Sequence, residues 1–356
     1  MSKIGLTATL LVTGAWLSAS LAAACGVEVK NYEVTEEFEA TRAADLSGIA
    51  CVPLGRGEYR CLVIDDETQF AQLAKIEKRE IEAKAKIRLI EKDDHPKPLG
   101  EKPSIKCDEN DFGEFDGEGV AYAPPFFYVV GSHGCSRESD KFRLSSFILA
   151  RIRVNHEGRP VDADDKVLDK DDMEKAVVET TYRVSDLLQR ADTVGGFFGK
   201  SLKTENGLNI EGIAVDGDRV FLGLRAPVNG TAYIVEGSAK ALFAPGHNPL
   251  LPGEKPVLIP VKLGPDVGIR DLALLPNDKL LILAGATQEP DIPYSIFVLD
   301  LKGKARTELV PRRSDQPKRA EGMAVLDATT QEIRMLLLFD GSLDGAPEEL
   351  TIPLRK

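Results

Sequence analysis

The sequence predicts an all-β protein, a β-propeller of five blades, and three observations support this prediction. One local pattern occurs five times, each copy precedes two short apolar runs joined by a turn, and an alternating segment near the N-terminus could close a ring. Repeats of about 50 to 70 residues with roughly four strands each are typical of propeller blades. Six blades remain an alternative if residues 140–208 contain a further one.

The repeated pattern reads acidic or small residue, Gly or Asp, apolar residue, Ala. Its copies are Ser47–Ala50, Glu118–Ala121, Glu211–Ala214, Arg270–Ala273 and Glu321–Ala324. Turn residues separate each copy from a second apolar run, as in Asp216-Gly217-Asp218 and Pro276-Asn277-Asp278. Turn chemistry between two apolar runs indicates a hairpin, so each copy opens the first strand of a blade.

Further strands follow each hairpin. The segment Lys84–Ile90 alternates with period two, so we interpret residues 72–86 as two strands and a turn rather than a Glu/Lys-rich helix. A helix is predicted at Ser185–Arg190. Outer strands are predicted at Phe147–Val154, Ala176–Val184, Ala232–Glu236, Val257–Val261, Ser295–Leu301 and Thr307–Val310.

The two ends of the chain are expected to meet. The last unit has room for three strands and finishes at Glu348–Leu354, whereas Val29–Ala40 alternates like a strand. This N-terminal strand could complete the last blade and close the ring, which would remove open sheet edges.

Residues 1–24 have the features of a signal peptide. Lys3 precedes an apolar run from Ile4, and the run ends in Ala22-Ala23-Ala24. No other stretch approaches 18 apolar residues, so no transmembrane helix is expected beyond this segment, which would be an N-terminal anchor if uncleaved. Residues 25–356 are then expected to form one propeller domain with an insertion around 155–208.

Cys25 directly follows the three alanines and resembles the lipidated cysteine of a bacterial lipobox. Ala22 departs from that pattern, which prefers a larger apolar residue at this position. We therefore expect a periplasmic or extracellular protein, with an outer-membrane lipoprotein and ordinary secretion as the two forms. Of five cysteines, Cys51, Cys61, Cys107 and Cys135 then remain as two pairs, and pairing of sequence neighbours is the simplest of three connectivities.

The composition narrows the class of partner. The chain has 57 acidic and 45 basic residues, for a formal net charge of −12. Nucleic-acid binding and binding to an anionic membrane surface are disfavoured, because both usually need a basic field. We expect a monomer whose partner is a small molecule, a glycan or an envelope protein, with the membrane reached only through the N-terminal segment or a lipid.

Several motifs together resemble a bacterial family described as a domain of unknown function, over about residues 45–342. They are Asp65–Gln69, Gly131–Gly134, Asn209–Ala214 with Gly223–Pro227, and Gly268–Ala273. The resemblance implies a propeller that is loosely akin to esterase-like phytase domains and other exported propellers. It implies no settled activity.

Blade topology predicts where polar side chains collect. Adjacent strands of a blade are antiparallel, so the start of the first strand and the end of the second lie on one face. The five motif heads should therefore meet the residues that end the second strands. These second-strand ends are Asp65, Asp66, Ser132, His133, Arg225, Gly285 and Asp340.

Such a mouth would be rich in carboxylates, which repel one another unless a cation or bases offset them. We expect Glu118, Glu211, Asp271 and Glu321 to be ligands of Ca²⁺ or Mg²⁺. Arg225 and Arg270 are expected either to pair with these acids or to bind an anionic group of a ligand, and Asp65, Asp66 and Asp340 are expected to bind a ligand. The alternative is structural: an acid at a strand head bonds to backbone N–H groups or to the neighbouring blade.

Two functions remain open. One is a binding or scaffold propeller of the cell envelope. The other is a metal-assisted hydrolase of a phosphoester, ester or lactone, in which Ca²⁺ polarises the substrate and Glu211 or His133 activates water. Motifs of nucleotide-dependent enzymes and zinc proteases do not occur in the sequence. A Glu211→Gln substitution is expected to separate the two, because a catalytic residue would change turnover and leave the melting temperature nearly unchanged.

Overall fold

The computed structural model describes residues 26–38, 45–92, 96–105, 112–135, 141–288, 292–311 and 319–354, which form five antiparallel sheets with one added parallel strand. The strands are β1 Glu28–Asn31, β2 Glu33–Glu36, β3 Leu46–Gly55, β4 Glu58–Asp65, β5 Phe70–Glu77, β6 Glu80–Arg88, β7 Gly117–Ala123, β8 Phe126–Gly131, β9 Leu149–Arg153, β10 Val178–Thr181, β11 Asn209–Asp216, β12 Arg219–Ala226, β13 Ala232–Ser238, β14 Val257–Val261, β15 Val267–Leu275, β16 Lys279–Ala286, β17 Ser295–Asp300, β18 Arg306–Val310, β19 Arg319–Ala328, β20 Glu332–Asp340 and β21 Glu348–Pro353. The α-helices are α1 Arg183–Gln189, α2 Leu202–Glu205 and α3 Ala239–Leu242; short 3₁₀ helices span Leu144–Phe147, Lys170–Lys175, Gly195–Phe197 and Leu343–Gly345.

The five sheets are the blades of a β-propeller. Their inner strands are β3, β7, β11, β15 and β19, and each inner strand contacts the inner strand of the blade on either side. The prediction of five blades is therefore confirmed, and the alternative of six is wrong. Residues 140–208 contain the two outer strands of blade 2, β9 and β10, together with helical insertions instead of a further sheet.

The ring is closed by the N-terminal segment, as the sequence predicted. β1 pairs antiparallel with β21 and is the outermost strand of blade 5. Tyr32 follows it, and its hydroxyl donates to Glu349 Oε2 at 2.7 Å. The next strand, β2, runs parallel to β6 as a fifth strand of blade 1. The segment predicted as one strand is thus two, and it fastens both the last blade and the first.

The predicted secondary structure agrees with the structure in type and differs at the ends. Residues 72–86 form parts of strands β5 and β6, which excludes the helix. The strand expected from Phe147 begins at Leu149, because residues 144–147 form a 3₁₀ helix. The strand expected to reach Val184 ends at Thr181, because α1 begins at Arg183.

The insertion between blades 2 and 3 packs onto the core. Leu187 and Leu188 of α1 are buried with Val130 and Ile210 of the adjacent blades. Arg183 is almost fully buried, and its guanidinium donates to backbone carbonyls of residues 242–248. Hydrogen bonds from a charged donor satisfy carbonyls that have no strand partner, which fixes the loop after α3.

One predicted disulfide is present. Cys51 and Cys61 face each other across the β3–β4 hairpin and are bonded. Cys107, Cys25 and the signal-like segment 1–24 lie outside the described residues. The second disulfide, the lipid on Cys25 and the signal peptide therefore stay predictions. No helix within the described part of the chain is both long and apolar enough to cross a membrane.

Candidate functional site

Every inner strand has a β-bulge at the first position of the repeated motif. The pairing with the second strand skips Ser47, Glu118, Glu211, Arg270 and Glu321. A bulge leaves its extra residue out of the hydrogen-bond ladder and redirects the side chain. All five bulges lie where the inner strands begin, and four of these side chains line one mouth of the central channel, whereas the Ser47 hydroxyl donates to the carbonyl of Asp45.

The second motif position narrows the channel. This position is Gly in four blades, and the inner strands approach very closely there. A Cβ atom on Gly48 would lie 2.9 Å from Gly119 Cα, and one on Gly212 would lie 2.8 Å from Asp271 Cα. A side chain at either glycine would force neighbouring blades apart. Blades 1 and 3 therefore need glycine at this position for the five-bladed ring to close.

Asp271 occupies this position in blade 4 and is fully buried. One carboxylate oxygen accepts from the N–H of Leu272, and the other accepts from the N–H of Met323 in blade 5, both at 2.7 Å. Burial raises the pKa of Asp271 well above its usual value, while the two backbone N–H groups act in the opposite direction. Its carboxylate joins blades 4 and 5, which is the structural role that the sequence left as an alternative.

The two mouths of the channel differ in character. One opens into a cavity of about 330 Å³ with mainly charged and polar walls, here called the mouth cavity. The other, of about 120 Å³, is lined largely by apolar residues such as Ile213 and Met323. The charged residues of the mouth cavity are Asp66, Glu67, Glu114, Asp116, Glu118, Lys141, Arg143, Glu211, Arg225, Arg270 and Glu321.

Arginines and glutamates form a buried network on one side of the mouth cavity. Arg225 donates through Nη1 to Glu211 Oε1 and through Nε to Thr287 O, both at 2.6 Å. Arg270 Nη2 lies 3.4 Å from Glu211 Oε2 and also pairs with Glu321. Glu211 is only 2% exposed, so its charge is balanced by two guanidinium groups rather than by water.

Carboxyl groups crowd the opposite side. Burial first, and the neighbouring charge of Asp116 second, raise the pKa of Asp66 to about 8. Burial also raises the pKa of Glu118 well above its usual value, and Glu211, Asp116 and Asp66 add to the shift. Oδ1 of Asp66 and Oδ1 of Asn209 are buried and accept no hydrogen bond from the described residues. At neutral pH this side therefore offers both protonated carboxyls and open acceptors.

Ser132 and His133 differ in access to the cavity. The Ser132 hydroxyl donates to Asp116 Oδ2 and lies in the cavity wall. His133 is fully buried behind it, with Nδ1 2.9 Å from Gly131 O and its ring edge toward Phe147. Burial lowers the pKa of His133 to about 4. As placed, the imidazole is neutral and does not reach a ligand in the mouth cavity.

Two further predicted ligand residues lie outside the cavity. Asp65 accepts from the N–H of Glu67 at 3.0 Å and stabilises the turn after β4. Burial raises its pKa to about 6. Oδ2 of Asp340, the last residue of β20, lies 3.4 Å from Nη1 of Arg319. Both residues lie near the mouth, as the blade topology predicted. Their observed contacts, however, stabilise a turn and the end of a strand and do not face the mouth cavity.

The expected metal ligands do not form one donor set. Among the residues that the structure describes, no three His, Cys, Asp or Glu side chains are positioned around a common metal ion. Glu211 and Glu321 pair with arginines, and both oxygens of Asp271 accept backbone N–H groups. Only Glu118 is left among the four, so the described side chains as they lie do not fit a Ca²⁺ site, and Ca²⁺ binding stays a prediction.

Sequence reasoning missed Asp116 and Asn209. Each lies two residues before a motif head, Glu118 and Glu211 respectively. The bulge at each head breaks the alternation of the strand, so the signal that could have placed both at the mouth was only their short distance in sequence from a head.

Solved structures with a similar arrangement are distant. Zg3597, a family 117 glycoside hydrolase of Zobellia galactanivorans, is 10% identical, with 92% of this chain and 89% of that chain covered and a TM-score of 0.40. The α-L-arabinofuranosidase Arb93A of Fusarium graminearum is 8% identical, with 91% and 97% covered and a TM-score of 0.38. A protein of unknown function from Dyadobacter fermentans is 11% identical, with 93% and 100% covered and a TM-score of 0.42. Likenesses this weak carry no argument about the site.

No curated protein matches the sequence significantly. The expected kinship with esterase-like phytase domains gains no support from these comparisons. A family model does match residues 57–348, most of the chain, and its range agrees with the motifs that suggested a family resemblance. The chain therefore belongs to the family described as protein of unknown function DUF3616.

Proposed function

We propose that this protein is a ligand-binding propeller that holds a small polar molecule in the mouth cavity. The observation that carries the proposal is the repeated bulge, which turns four charged motif heads into one cavity of about 330 Å³. Packing between blades needs apolar side chains and no such charged set. Binding pockets of small molecules typically have volumes of about 300–1,000 Å³, so the cavity suits a molecule the size of a mono- or disaccharide.

Hydroxyl groups are the ligand chemistry that these walls favour. A hydroxyl both donates and accepts, so it can serve the carboxylate acceptors, the protonated carboxyls and the guanidinium groups alike. Asp66 and Glu118 supply the carboxyls, and Arg225 supplies donors. A small glycan or another polyhydroxylated molecule is therefore the proposed ligand, with an envelope protein as the alternative partner.

Thermal unfolding of the full chain with a panel of monosaccharides, disaccharides and polyols tests the proposal. A ligand at about 100 times its Kd adds about 2.7 kcal/mol to the stability, which raises the melting temperature measurably. Glu118→Gln should weaken this response, whereas Glu308→Gln, on an exposed outer strand, is the matched control. A panel that leaves the melting temperature unchanged, or a response equal in both variants, would contradict the proposal.

Hydrolysis is the second candidate, and a specific observation favours it. Burial first, and then the neighbouring carboxyl groups, raise the pKa of Glu118, whereas Glu211 lies between two arginines. Carboxyls in one cavity with such different environments are suited to separate acid and base roles. Glu118 would donate a proton to the leaving group of a phosphoester, ester or lactone, and an ionised carboxylate would activate water.

Chromogenic esters and phosphoesters, together with a lactone, test the hydrolase. Glu118→Gln should abolish turnover and leave the fold intact, because Gln copies the shape of the protonated acid. A rate above background that the substitution leaves unchanged would exclude Glu118 as the acid. Assays with and without a chelator establish separately whether a metal takes part.

We further infer that the protein acts outside the cytoplasm. The signal-like segment 1–24 and the disulfide Cys51–Cys61 support this location, because disulfides persist in oxidising compartments. Cell fractionation and mass measurement of the N-terminal peptide test it. An exported chain without a lipid on Cys25 would indicate ordinary secretion instead of a lipoprotein. Recovery of an uncleaved chain in the cytoplasm would overturn the proposed location.

A further inference from the structure

A second cavity, of about 490 Å³, lies on the flank of the ring and shares no lining residue with the mouth cavity. We call it the flank cavity. One wall is blade 1, including Leu73 and Ala83, and the other is the blade 2 insertion, including Leu168 and Met173. The two walls pack together where β6 contacts the 3₁₀ helix Lys170–Lys175. Apolar side chains thus form much of its floor.

Two arginines lie beside this apolar floor, in a lining that also contains the polar and charged residues Glu36, Glu37, Gln72, Lys84, Asp169 and Lys170. Arg60 comes from β4, and Arg159 comes from the insertion. The Arg60 guanidinium donates to the carbonyl of Glu157 and forms no ion pair with a described residue. Arg159 Nη2 is 3.9 Å from Asp169 Oδ1, whose side chain is 85% exposed, and an ion pair so exposed contributes little.

The acids near Arg60 are exposed to solvent. Burial, and then the charge of Arg159, lower the pKa of Arg60, whereas the charge of the exposed Glu157 acts in the opposite direction. Lys75 lies directly opposite Arg60 in the β4–β5 pairing, but its ammonium pairs with Glu77 at 2.6 Å and it does not line the flank cavity. The remaining acids of the wall, Glu36 and Glu37, are exposed. Like charges held together without a buried acid are stabilised when an anion binds between them.

We propose that the flank cavity binds a carboxylate that carries an apolar body. The guanidinium groups of Arg60 and Arg159 hold the carboxylate, and the floor around Leu73, Leu168 and Met173 covers the apolar part. Arginine is suited to this role because its planar group matches a carboxylate through two parallel hydrogen bonds. The site is independent of the mouth cavity, so it does not rest on the function proposed there.

Calorimetric titration of the full chain with octanoate tests the site, with acetate, octanol and octyl phosphate as comparison probes. Octanoate should bind at least about tenfold more tightly than acetate or octanol, because only octanoate combines the charge and the apolar body. The double variant Arg60→Gln/Arg159→Gln should lose at least about tenfold in octanoate affinity. Arg159→Gln alone should lose part of it, which keeps the test valid if the double variant folds poorly.

Arg306→Gln is the matched control, since Arg306 is an exposed arginine on the outer strand of blade 4. Several results would overturn the proposal: no octanoate binding to the wild type, equal binding of octanol, or unchanged affinity in the Arg60 and Arg159 variants. Octyl phosphate binding more than about tenfold tighter than octanoate would overturn the assignment to a carboxylate.

Discussion

Replacing Glu211 by Gln is expected to destabilise the protein, whatever the role of Glu211 in function. Its carboxylate is almost fully buried and bonds to Arg225 at 2.6 Å and to Arg270 at 3.4 Å. Gln keeps the shape and can accept one hydrogen bond, but the buried guanidinium of Arg225 loses its ion-pair partner, and Arg270 keeps only its pair with Glu321. Breaking a buried ion pair by removing one partner costs about 3–5 kcal/mol. Because one hydrogen bond is retained, we expect Glu211→Gln to lower the free energy of unfolding by about 3 kcal/mol.

The corresponding change in melting temperature can be worked out. One kcal/mol shifts the melting temperature of a large domain by roughly 2 °C, so a loss of about 6 °C is expected. Differential scanning calorimetry of Glu211→Gln, with the exposed Glu308→Gln as control, measures it. A double-mutant cycle with Arg225→Met adds a second criterion. The double variant should be less destabilised than the sum of the singles, by about 1–3 kcal/mol, because no unpaired charge remains.

A melting temperature within about 2 °C of the wild type, or strictly additive effects in the cycle, would refute this reasoning. The result also changes how function should be tested. The sequence suggested that an unchanged melting temperature would identify Glu211 as catalytic, but the ion pairs make a loss of stability expected in either role. Glu118 is the better probe, since its carboxyl forms no ion pair with a described residue and Gln resembles its protonated form.

Three further predictions follow from the fold and the carboxyl cluster. The stability of the wild type should fall as pH rises from about 4 to about 8, because the folded Asp66 carboxyl, with a pKa of about 8, holds a proton that the unfolded chain releases. Urea unfolding at pH 5 and pH 9 measures this pH dependence, and Asp66→Asn should reduce it by about 1–2 kcal/mol, a figure lowered to allow for solvent access. An identical pH profile of variant and wild type would contradict the raised pKa of Asp66. Replacing Cys51 and Cys61 by Ala should cost about 2–3 kcal/mol, or about 5 °C, since the bond closes a short loop; calorimetry of the variant and the wild type measures the loss, and equal melting temperatures would contradict it. Deleting residues 1–36 should lower the melting temperature by more than the loss of the disulfide and increase hydrogen exchange in Glu348–Pro353, and protection equal to the wild type would show that β1 does not hold the ring closed.

The features that the sequence predicted well have local causes. The glycines of the repeated motif and the turns after it lie close together in the sequence, so five blades could be counted before any contact was known. The strand β2 was missed because its parallel pairing with β6 depends on a neighbour that is distant in sequence. For the same reason the sequence could name Arg270 and Glu321 but not join them, since they come from different blades.

The charges at the site depend on distant neighbours in the same way. Glu211 pairs with Arg225 of its own blade and with Arg270 of blade 4, and Arg270 also pairs with Glu321 of blade 5, so arginines offset two of the expected metal ligands. His133 was placed correctly at the end of β8, but its exposure was not predictable, because Phe147 and the 3₁₀ helix after residue 143 cover it. Burial of a strand-end residue depends on what the next segment does.

The direction of β1 sets the orientation of the whole molecule relative to anything joined before residue 26. Asn31 pairs with Glu348, where β21 starts on the side of the mouth cavity, and Glu28 pairs with Thr351 nearer the opposite end. The chain therefore enters the ring from the apolar side, and its first described residue, Gly26, lies beside Pro353 there, since a Cβ atom on Gly26 would be 3.3 Å from Pro353 Cγ. A lipid or helix attached upstream of this point would hold the protein with its charged cavity facing away from the anchoring surface, open to molecules that arrive from the surrounding fluid.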